Sequence, residues 1–278
     1  MDSKSRKRLT KDERQKVILA EVRVNSTIRV SDLADRLQVT GETIRRDLVE
    51  LDAAGHLHRT FGGASVPPLT FEPGVDERSR EFVEERERIG AAAAAFLPGD
   101  AVLMLDGGST TFQVARHLAQ RQEELTVVTN SLPIALLLSV SPLVRIHVAP
   151  GVLNAGERAV TGADTIEFLR RYNATHAIVG ATALTLEGPA EAAEGVAGIK
   201  RIMIERAAES FVVADSGKFG RRAFETIADW GAFARLVTDA EPPQEIARAI
   251  ASSGCEISVG APKNADARQA VRAGSIGK

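Results

Sequence analysis

Thr40-Gly41-Glu42-Thr43-Ile44-Arg45-Arg46-Asp47-Leu48-Val49-Glu50-Leu51 decides how the first part of the chain folds. Ile44, Leu48 and Leu51 recur at i, i+4 and i+7, so they share one buried stripe of a helix. Thr43, Arg46 and Glu50 then lie elsewhere on its circumference. Thr40 predicts the N-cap, because its hydroxyl can accept from an orphaned first-turn amide, and Gly55 predicts the C-terminal stop. Just upstream, Ser31 reads as the hydroxyl cap of a helix over 32–37 whose acidic first turn opposes the helix dipole. Two short helices joined by a tight turn, the second offering Thr and Arg near its start, have the form of a helix-turn-helix. Further out, Val17, Ile18, Ala20, Val22 and Val24 mark an amphipathic helix over 11–24, capped by Thr10 or Asp12. On the other side, residues 57–63 read as an extended segment with a Gly62-Gly63 turn, a small β-wing.

Val66-Pro67-Pro68-Leu69 and Glu72-Pro73-Gly74 then form a proline-bearing linker. Beyond it, apolar β-rich runs at 101–105, 125–129, 144–148, 176–180, 211–214, 235–238 and 256–259 alternate with helical stretches. The helices are expected at 84–96, 110–120, 131–140, 163–171, 198–209 and 243–252. Runs so continuously apolar suit strands covered on both faces, and the alternation predicts an open, mainly parallel α/β sheet. The tail over 261–278, rich in Ala, Gly and charge, reads as disordered.

The 278 residues are enough for two globular units, and 44% hydrophobic with 26% charged residues excludes a disordered, collagen-like or disulfide-rich chain. With 35 Lys+Arg against 37 Asp+Glu the net charge is −2, which excludes a uniformly basic coat. The near-neutral total hides a split. Residues 1–60 hold 13 basic and 10 acidic side chains, net +3, leaving 22 and 27, net −5, for the rest. Lys4, Arg6, Lys7 and Arg8 precede the first apolar-periodic segment and read as a mobile basic arm. A single cysteine, Cys255, fits a reducing compartment and a buried small hydrophobe. No leader-like segment and no stretch of about 18 apolar residues is evident, so the expectation is a soluble, cytoplasmic protein away from membranes.

In an open parallel sheet, ligands bind beyond the carboxyl ends of the strands, where loops enter helix N-termini. Asp106-Gly107-Gly108-Ser109-Thr110-Thr111 follows one strand: its glycines let amides approach an anion, its hydroxyls add donors, and the helix dipole favours negative charge. Thr129-Asn130-Ser131, Gly180-Ala181-Thr182 and Asp215-Ser216-Gly217-Lys218 follow others. Asp215 suits ligand hydroxyls and Lys218 an anionic group. No nucleophile elbow, Walker-type phosphate loop or zinc helix is present, so no catalytic residue, metal or cofactor is expected. Of the five histidines, at 56, 58, 117, 147 and 176, His147 and His176 fall in apolar strands and read as satisfied core residues.

The two halves together resemble the DeoR/GlpR family of bacterial transcriptional regulators over nearly all of residues 10–240. The carrying residues are Arg14-Gln15, Val30-Ser31-Asp32-Leu33-Ala34, the run from Val39 to Leu48, Gly62-Gly63-Ala64, and in the second half Asp106-Gly107-Gly108-Ser109-Thr110, Val128-Thr129-Asn130-Ser131 and Asp215-Ser216-Gly217-Lys218-Phe219-Gly220. The resemblance implies a winged helix-turn-helix domain over 1–64, a linker over 65–80, and a larger α/β sugar-phosphate sensor over 81–260 with a fold similar to ribose-5-phosphate isomerase. Operator DNA is the implied partner of Ser31, Thr40, Thr43, Arg45, Arg46, Arg59 and Gly62, the arginines reading guanine or holding phosphate. A phosphorylated sugar or polyol is the implied effector of Asp106, Gly107, Gly108, Ser109, Thr110, Thr111, Thr129, Asn130, Gly180, Lys200, Asp215 and Lys218. One recognition helix reads few bases, so a homodimer or homotetramer is expected. Phe61 replaces a common wing histidine, Pro150-Gly151 replaces a Gly-Gly, and Val196 stands where a Glu often precedes the helix lysine. Three alternatives stay open at this stage. Arg45 can pair with Glu42 or Asp47; the second domain can retain isomerase chemistry through Asp106, Asp215 or Lys218; or the protein can be an activator without an effector.

Overall fold

A computed structural model of the chain describes residues 9–25, 27–53, 57–65, 74–193 and 195–261. The expected basic arm, Gly55, His56, the prolines at 67, 68 and 73 and the tail 262–278 lie outside these residues. The chain divides into two compact units, residues 1–69 with 219–222, and 70–218 with 223–278.

The first unit comprises α1 (Lys11–Asn25), β1 (Thr27–Arg29), α2 (Val30–Leu37), α3 (Gly41–Ala53), β2 (His58–Thr60) and β3 (Gly63–Ser65). Ile18, Val22, Ile28, Leu33, Ile44, Leu48, Leu51, Leu57 and Ala64 close one core. Thr10 and Glu13 form a reciprocal cap at the head of α1: the Glu13 amide donates to Thr10 Oγ1 at 3.3 Å and the Thr10 amide to Glu13 Oε2 at 2.9 Å. Thr40 caps α3 as expected, accepting from the Thr43 amide at 3.2 Å. Ser31 does not cap α2. That helix starts two residues earlier, and the Val30 amide is satisfied by the Gly62 carbonyl of the wing at 2.9 Å. The reason is β1, too short to be read from sequence, which pairs antiparallel with β3 and draws the helix start onto the wing. Gly63 is required there, since a Cβ on it would lie 2.0 Å from the Ile28 carbonyl oxygen.

The second unit is built on seven strands, β4 (Val102–Leu105), β5 (Leu125–Thr129), β6 (Val144–Val148), β9 (Ala174–Gly180), β12 (Ala207–Val213), β14 (Arg235–Thr238) and β15 (Glu256–Val259). Their spatial order is β15-β14-β12-β9-β4-β5-β6, and every neighbouring pair is parallel. Around them lie α4 (Val75–Arg78), α5 (Val83–Ala95), α6 (Ser109–Leu118), α7 (Leu132–Leu138), α8 (Ala163–Leu169), α9 (Val196–Glu205) and α10 (Gln244–Ser252). A hairpin of β7 (Val152–Asn154) and β8 (Ala159–Thr161), and a small sheet of β10 (Ala183–Leu184), β11 (Pro189–Glu191) and β13 (Glu225–Thr226), were not legible in the sequence.

Two expectations need correction. The helix expected over 198–209 ends at Glu205, and Ala207–Val213 is strand, because Ala207 and Glu209 pair with Ala174 and His176 of β9. Sheet pairing here overrides the helical preference of Ala-Ala-Glu. The segment expected as a linker over 65–80 holds regular structure at both ends, since Ser65 ends β3 and Val75–Arg78 form α4, and its residues 66–73 lie outside the described residues. Cys255 is buried, as expected, and burial pushes its thiol up to about 11. His176 is half-buried beside Thr175 Oγ1 at 3.0 Å, and burial lowers its pKa. His147 lies on the edge strand β6, half-exposed, with its ring 5.2 Å from that of Tyr172, so it is not an enclosed core residue.

Candidate functional sites: a recognition helix and a sheet-end cleft

On α3, the run Arg45-Arg46-Asp47 splits by helical geometry. Asp47 lies three residues after Ile44, on the buried stripe, where Arg14 of α1 clamps it through Nε at 2.5 Å and Nη2 at 3.0 Å. Arg45 and Arg46 point outward with side chains 60% and 80% exposed. Asp47 is therefore not the partner of Arg45. Both arginines instead share exposed Glu42, at 3.4 and 3.8 Å. Such surface pairs contribute about 1 kcal/mol or less, so a phosphate or a guanine edge can displace them. Thr40 and Thr43 hydroxyls are mutually bonded at 2.9 Å near the helix start, and exposed Ser31 Oγ donates to Asp32 Oδ1 at 3.1 Å. Exposed Arg59 is held on the wing by its amide, which donates to Asp52 Oδ1 at 3.3 Å, and Gly62 turns the wing at φ +92°. Lys11 and Gln15 of α1 add bonds to Glu50 at 2.6 and 2.9 Å, so α3 is fixed by its acidic residues while its basic ones face solvent.

In the second unit the chain enters the sheet at its centre, in β4, runs outward to β5 and β6, and returns to β9 on the other side of β4. The loops after β4 and β9 therefore leave in opposite directions and open a crevice between them. Asp106 closes β4 and Gly180 closes β9, and the Gly180 amide donates to Asp106 Oδ2 at 3.3 Å. Arg78, Asp106, Gly107, Gly108, Ser109, Thr110, Thr111, Asn130, Glu157, Ala159, Thr161, Gly180, Ala181, Glu191, Val196, Lys200 and Lys218 line the cleft. Gly108 precedes α6 at φ +152°, which lets the backbone bend so that the first turn of α6 opens at the cleft. The first amides of a helix have no intrahelical acceptor and carry its positive end. Asn130 is buried, its Nδ2 donates to the Val160 carbonyl at 3.1 Å, and its Oδ1 has no partner. An acceptor left open in a cleft beside an anion-binding helix end suits a ligand hydroxyl.

At the floor lies a buried charge cluster. Lys200 Nζ donates to Glu191 Oε2 at 2.5 Å and to the Gly180 carbonyl at 3.0 Å, and lies 3.3 Å from Asp106 Oδ2. An ammonium has three donors, and these contacts take all of them. Lys200 thus organises the floor rather than offering a proton to a ligand. Burial favours neutral Glu191, but the Lys200 charge and bonds from Lys200 and Thr182 outweigh it and bring Glu191 down to about 2. Burial likewise opposes the Lys200 charge, and the two carboxylates outweigh it, raising its pKa. Asp106 is the surplus anion of this pair of carboxylates and one ammonium. Burial pushes it up to about 6, against the pull of Lys200.

Ten of the expected effector residues thus line the cleft, and two do not. Thr129 Oγ1 donates to the Leu105 carbonyl at 2.6 Å and ties β5 to β4. Asp215 is enclosed against Arg86 of α5, whose Nε donates to its Oδ2 at 3.0 Å; its Oδ1 is buried without a partner and does not line the cleft. Arg86 carried a readable signal, because it shares the buried stripe of α5 with Ile89, Gly90, Ala93 and Ala94, where a charge demands a buried counter-ion. Arg78, Glu157 and Glu191 carried none, since each reaches the cleft from an element outside any motif. Among the described residues, no group of three or more His, Cys, Asp or Glu is arranged to hold a metal ion, and no helix is long and apolar enough to cross a membrane.

A wing-braced helix with outward arginines, together with a separate α/β unit that opens a polar cleft at its switch point, defines a DNA-binding regulator with a ligand-sensing domain. The comparisons with known proteins agree. Residues 14–68 match the DeoR-like helix-turn-helix domain and residues 81–240 the DeoR C-terminal sensor domain. The chain belongs to the DeoR family of transcriptional regulators. It is 30% identical over 249 residues to the HTH-type transcriptional repressor GlcR of Bacillus subtilis, covering 89% of this chain and 96% of that one. It is 29% identical over 239 residues to the glycerol-3-phosphate regulon repressor of Escherichia coli, covering 86% and 94%. Among solved structures, ribose 5-phosphate isomerase A of Methanocaldococcus jannaschii overlaps 50% of this chain and 55% of its own, with TM-score 0.38 and 16% identity.

Proposed function

We propose that the protein represses a carbohydrate catabolic operon in the cytoplasm and is relieved when a phosphorylated sugar or polyol occupies the sheet-end cleft. The observation that carries this reading is the pairing, in one cleft, of the α6 N-terminus with the open Asn130 Oδ1. The first suits a phosphate and the second a hydroxyl donor, and a phosphorylated polyol offers both. Repressor names among the relatives, one of them for a glycerol-3-phosphate regulon, favour this direction of control. Thr43, Arg45 and Arg46 are the proposed base and phosphate contacts, with Ser31, Thr40, Arg59 and Gly62 supporting them at the backbone. Two such helices spaced one DNA turn apart call for a homodimer or homotetramer. The exposed apolar side chains of Leu136 and Leu153, 72% and 52% accessible and lining one shallow groove with Leu132 and Pro133, offer a surface for a second copy.

The effector must bind the non-operator form more tightly, and a coupling of about 1–3 kcal/mol changes operator affinity roughly 5- to 150-fold. Binding of the protein to its own promoter fragment, compared with random DNA at moderate salt and repeated with a panel of sugar and polyol phosphates, tests the reading. Equal affinity for both DNAs removes the operator function. Operator binding that no phosphorylated compound alters removes the effector.

A further inference from the structure

Three cations and three carboxylates line the cleft, and their partners separate them. Lys200 is engaged by Asp106, Glu191 and Gly180, while Arg78 and Lys218 line the cleft beside it. Arg78, on α4, is nearly buried, and its Nη1 and Nη2 make a forked pair with Glu157 at 2.8 and 2.7 Å. Glu157 sits in the turn between β7 and β8. That turn also holds α4 through the Val75 amide, which donates to the Gly156 carbonyl at 2.8 Å, and through Arg158, 2.5 Å from Asp76. On its other side, the Arg78 carbonyl accepts from Arg86, the residue whose guanidinium also holds Asp215. Asp215 begins the turn that carries Lys218. One buried hub therefore fixes the backbone positions from which Arg78 and Lys218 reach the cleft.

From this geometry we infer that Arg78 is the principal anion-binding side chain of the cleft and that Glu157 is its built-in competitor. A phosphate monoester binds by taking over the two forked N–H bonds that Glu157 holds. This rests on the reading of the cleft as a phosphate-ester site. A guanidinium fork matches phosphate oxygens as well as it matches a carboxylate, and the exchange conserves bonds on the arginine. It releases one carboxylate toward solvent, on the face where Glu157 is already partly exposed. The negative floor of Asp106 and Glu191 repels a dianion, which favours reception of the phosphate at the Arg78 side and at the α6 amides.

The test is calorimetric titration of the full chain with inorganic phosphate, sn-glycerol 3-phosphate and glucose 6-phosphate, with glycerol and glucose as uncharged controls. Glu157→Gln is expected to bind at least one phosphate probe about tenfold more tightly than the natural chain, because the competing charge is gone. The double variant R78Q/E157Q keeps a neutral hydrogen-bonding pair, with its folding checked by thermal unfolding without probe, and is expected to bind at least tenfold more weakly than E157Q. Equal phosphate affinity in E157Q and the double variant overturns Arg78 and leaves the phosphate-ester reading intact. Weakening in the double variant with no gain in E157Q overturns the competitor role. Failure of every phosphate probe to bind either the natural chain or E157Q overturns this inference together with the reading beneath it.

Discussion

Replacing Lys200 by Met removes the one cation beneath the cleft and leaves Asp106 and Glu191 buried with like charge. Removing one partner of a buried ion pair costs about 3–5 kcal/mol. The loss has a ceiling, because a carboxylate can escape by taking up a proton. For an ordinary Glu that costs about 1.4 kcal/mol per pH unit above its pKa, or about 5 kcal/mol near pH 8 and about 1 kcal/mol near pH 5. The penalty for Lys200→Met is therefore expected to be about 3–5 kcal/mol near pH 8 and about 1 kcal/mol near pH 5. The sign follows from linkage. In the variant both carboxylates have folded pKa values above their unfolded ones, so stability is full below about pH 4 and falls as pH rises through the folded values. In the natural chain Glu191 behaves oppositely: its folded value of about 2 lies below 4.5, so its contribution is present above about pH 4.5 and lost only as pH falls toward 2. Trp230, the single tryptophan, is buried in the second unit, so urea unfolding followed by its fluorescence reports this unit alone. A destabilisation under about 1 kcal/mol near pH 8, or one equal at both pH values, would refute the buried three-charge arrangement.

Arg46→Ala is expected to weaken operator binding by about 1–3 kcal/mol while leaving thermal unfolding unchanged, since the side chain pairs with Glu42 at 3.8 Å on the surface; unchanged binding in an anisotropy titration removes Arg46 from the interface. Lys218→Ala is expected to keep operator affinity and shift the response to phosphate esters to higher concentration, and a natural response curve would exclude Lys218 from the effector site. Gly63→Ala drives a Cβ into the Ile28 carbonyl, so it is expected to unpair β1 from β3 at a cost of about 3 kcal/mol; an unaltered melting temperature of the first unit would contradict that packing.

The readable part of the fold is the part written in local periods. Ile44, Leu48 and Leu51 mark the α3 core face, Thr40 caps that helix, and the apolar runs mark all seven strands of the parallel sheet to within a few residues. Elements whose existence depends on distant pairing were not readable, as β1, the β7–β8 hairpin and the start of β12 show. The same division holds in the cleft. The sequence names Asp106, the two glycines before α6 and the hydroxyls of its first turn, Asn130 and Lys218, because strand ends that open helices have their own residue chemistry.

What it could not name is where each charge is placed. Asp215 and Lys218 stand three residues apart in one motif, yet Asp215 is enclosed against Arg86 while Lys218 lines the cleft. Lys200 saturates on Glu191, nine residues earlier in another element, and Arg78 meets Glu157 across 79 positions of chain. By itself, the sequence determines the two kinds of domain, their periodic elements and the family, since these follow from short-range spacing and capping. Only the tertiary structure decides the site, because the strand order sets β4 beside β9 and so brings Asp106 to Gly180. Once they meet, burial forces each charge to find a partner there, and those partners set the electrostatics that a ligand in the cleft would meet.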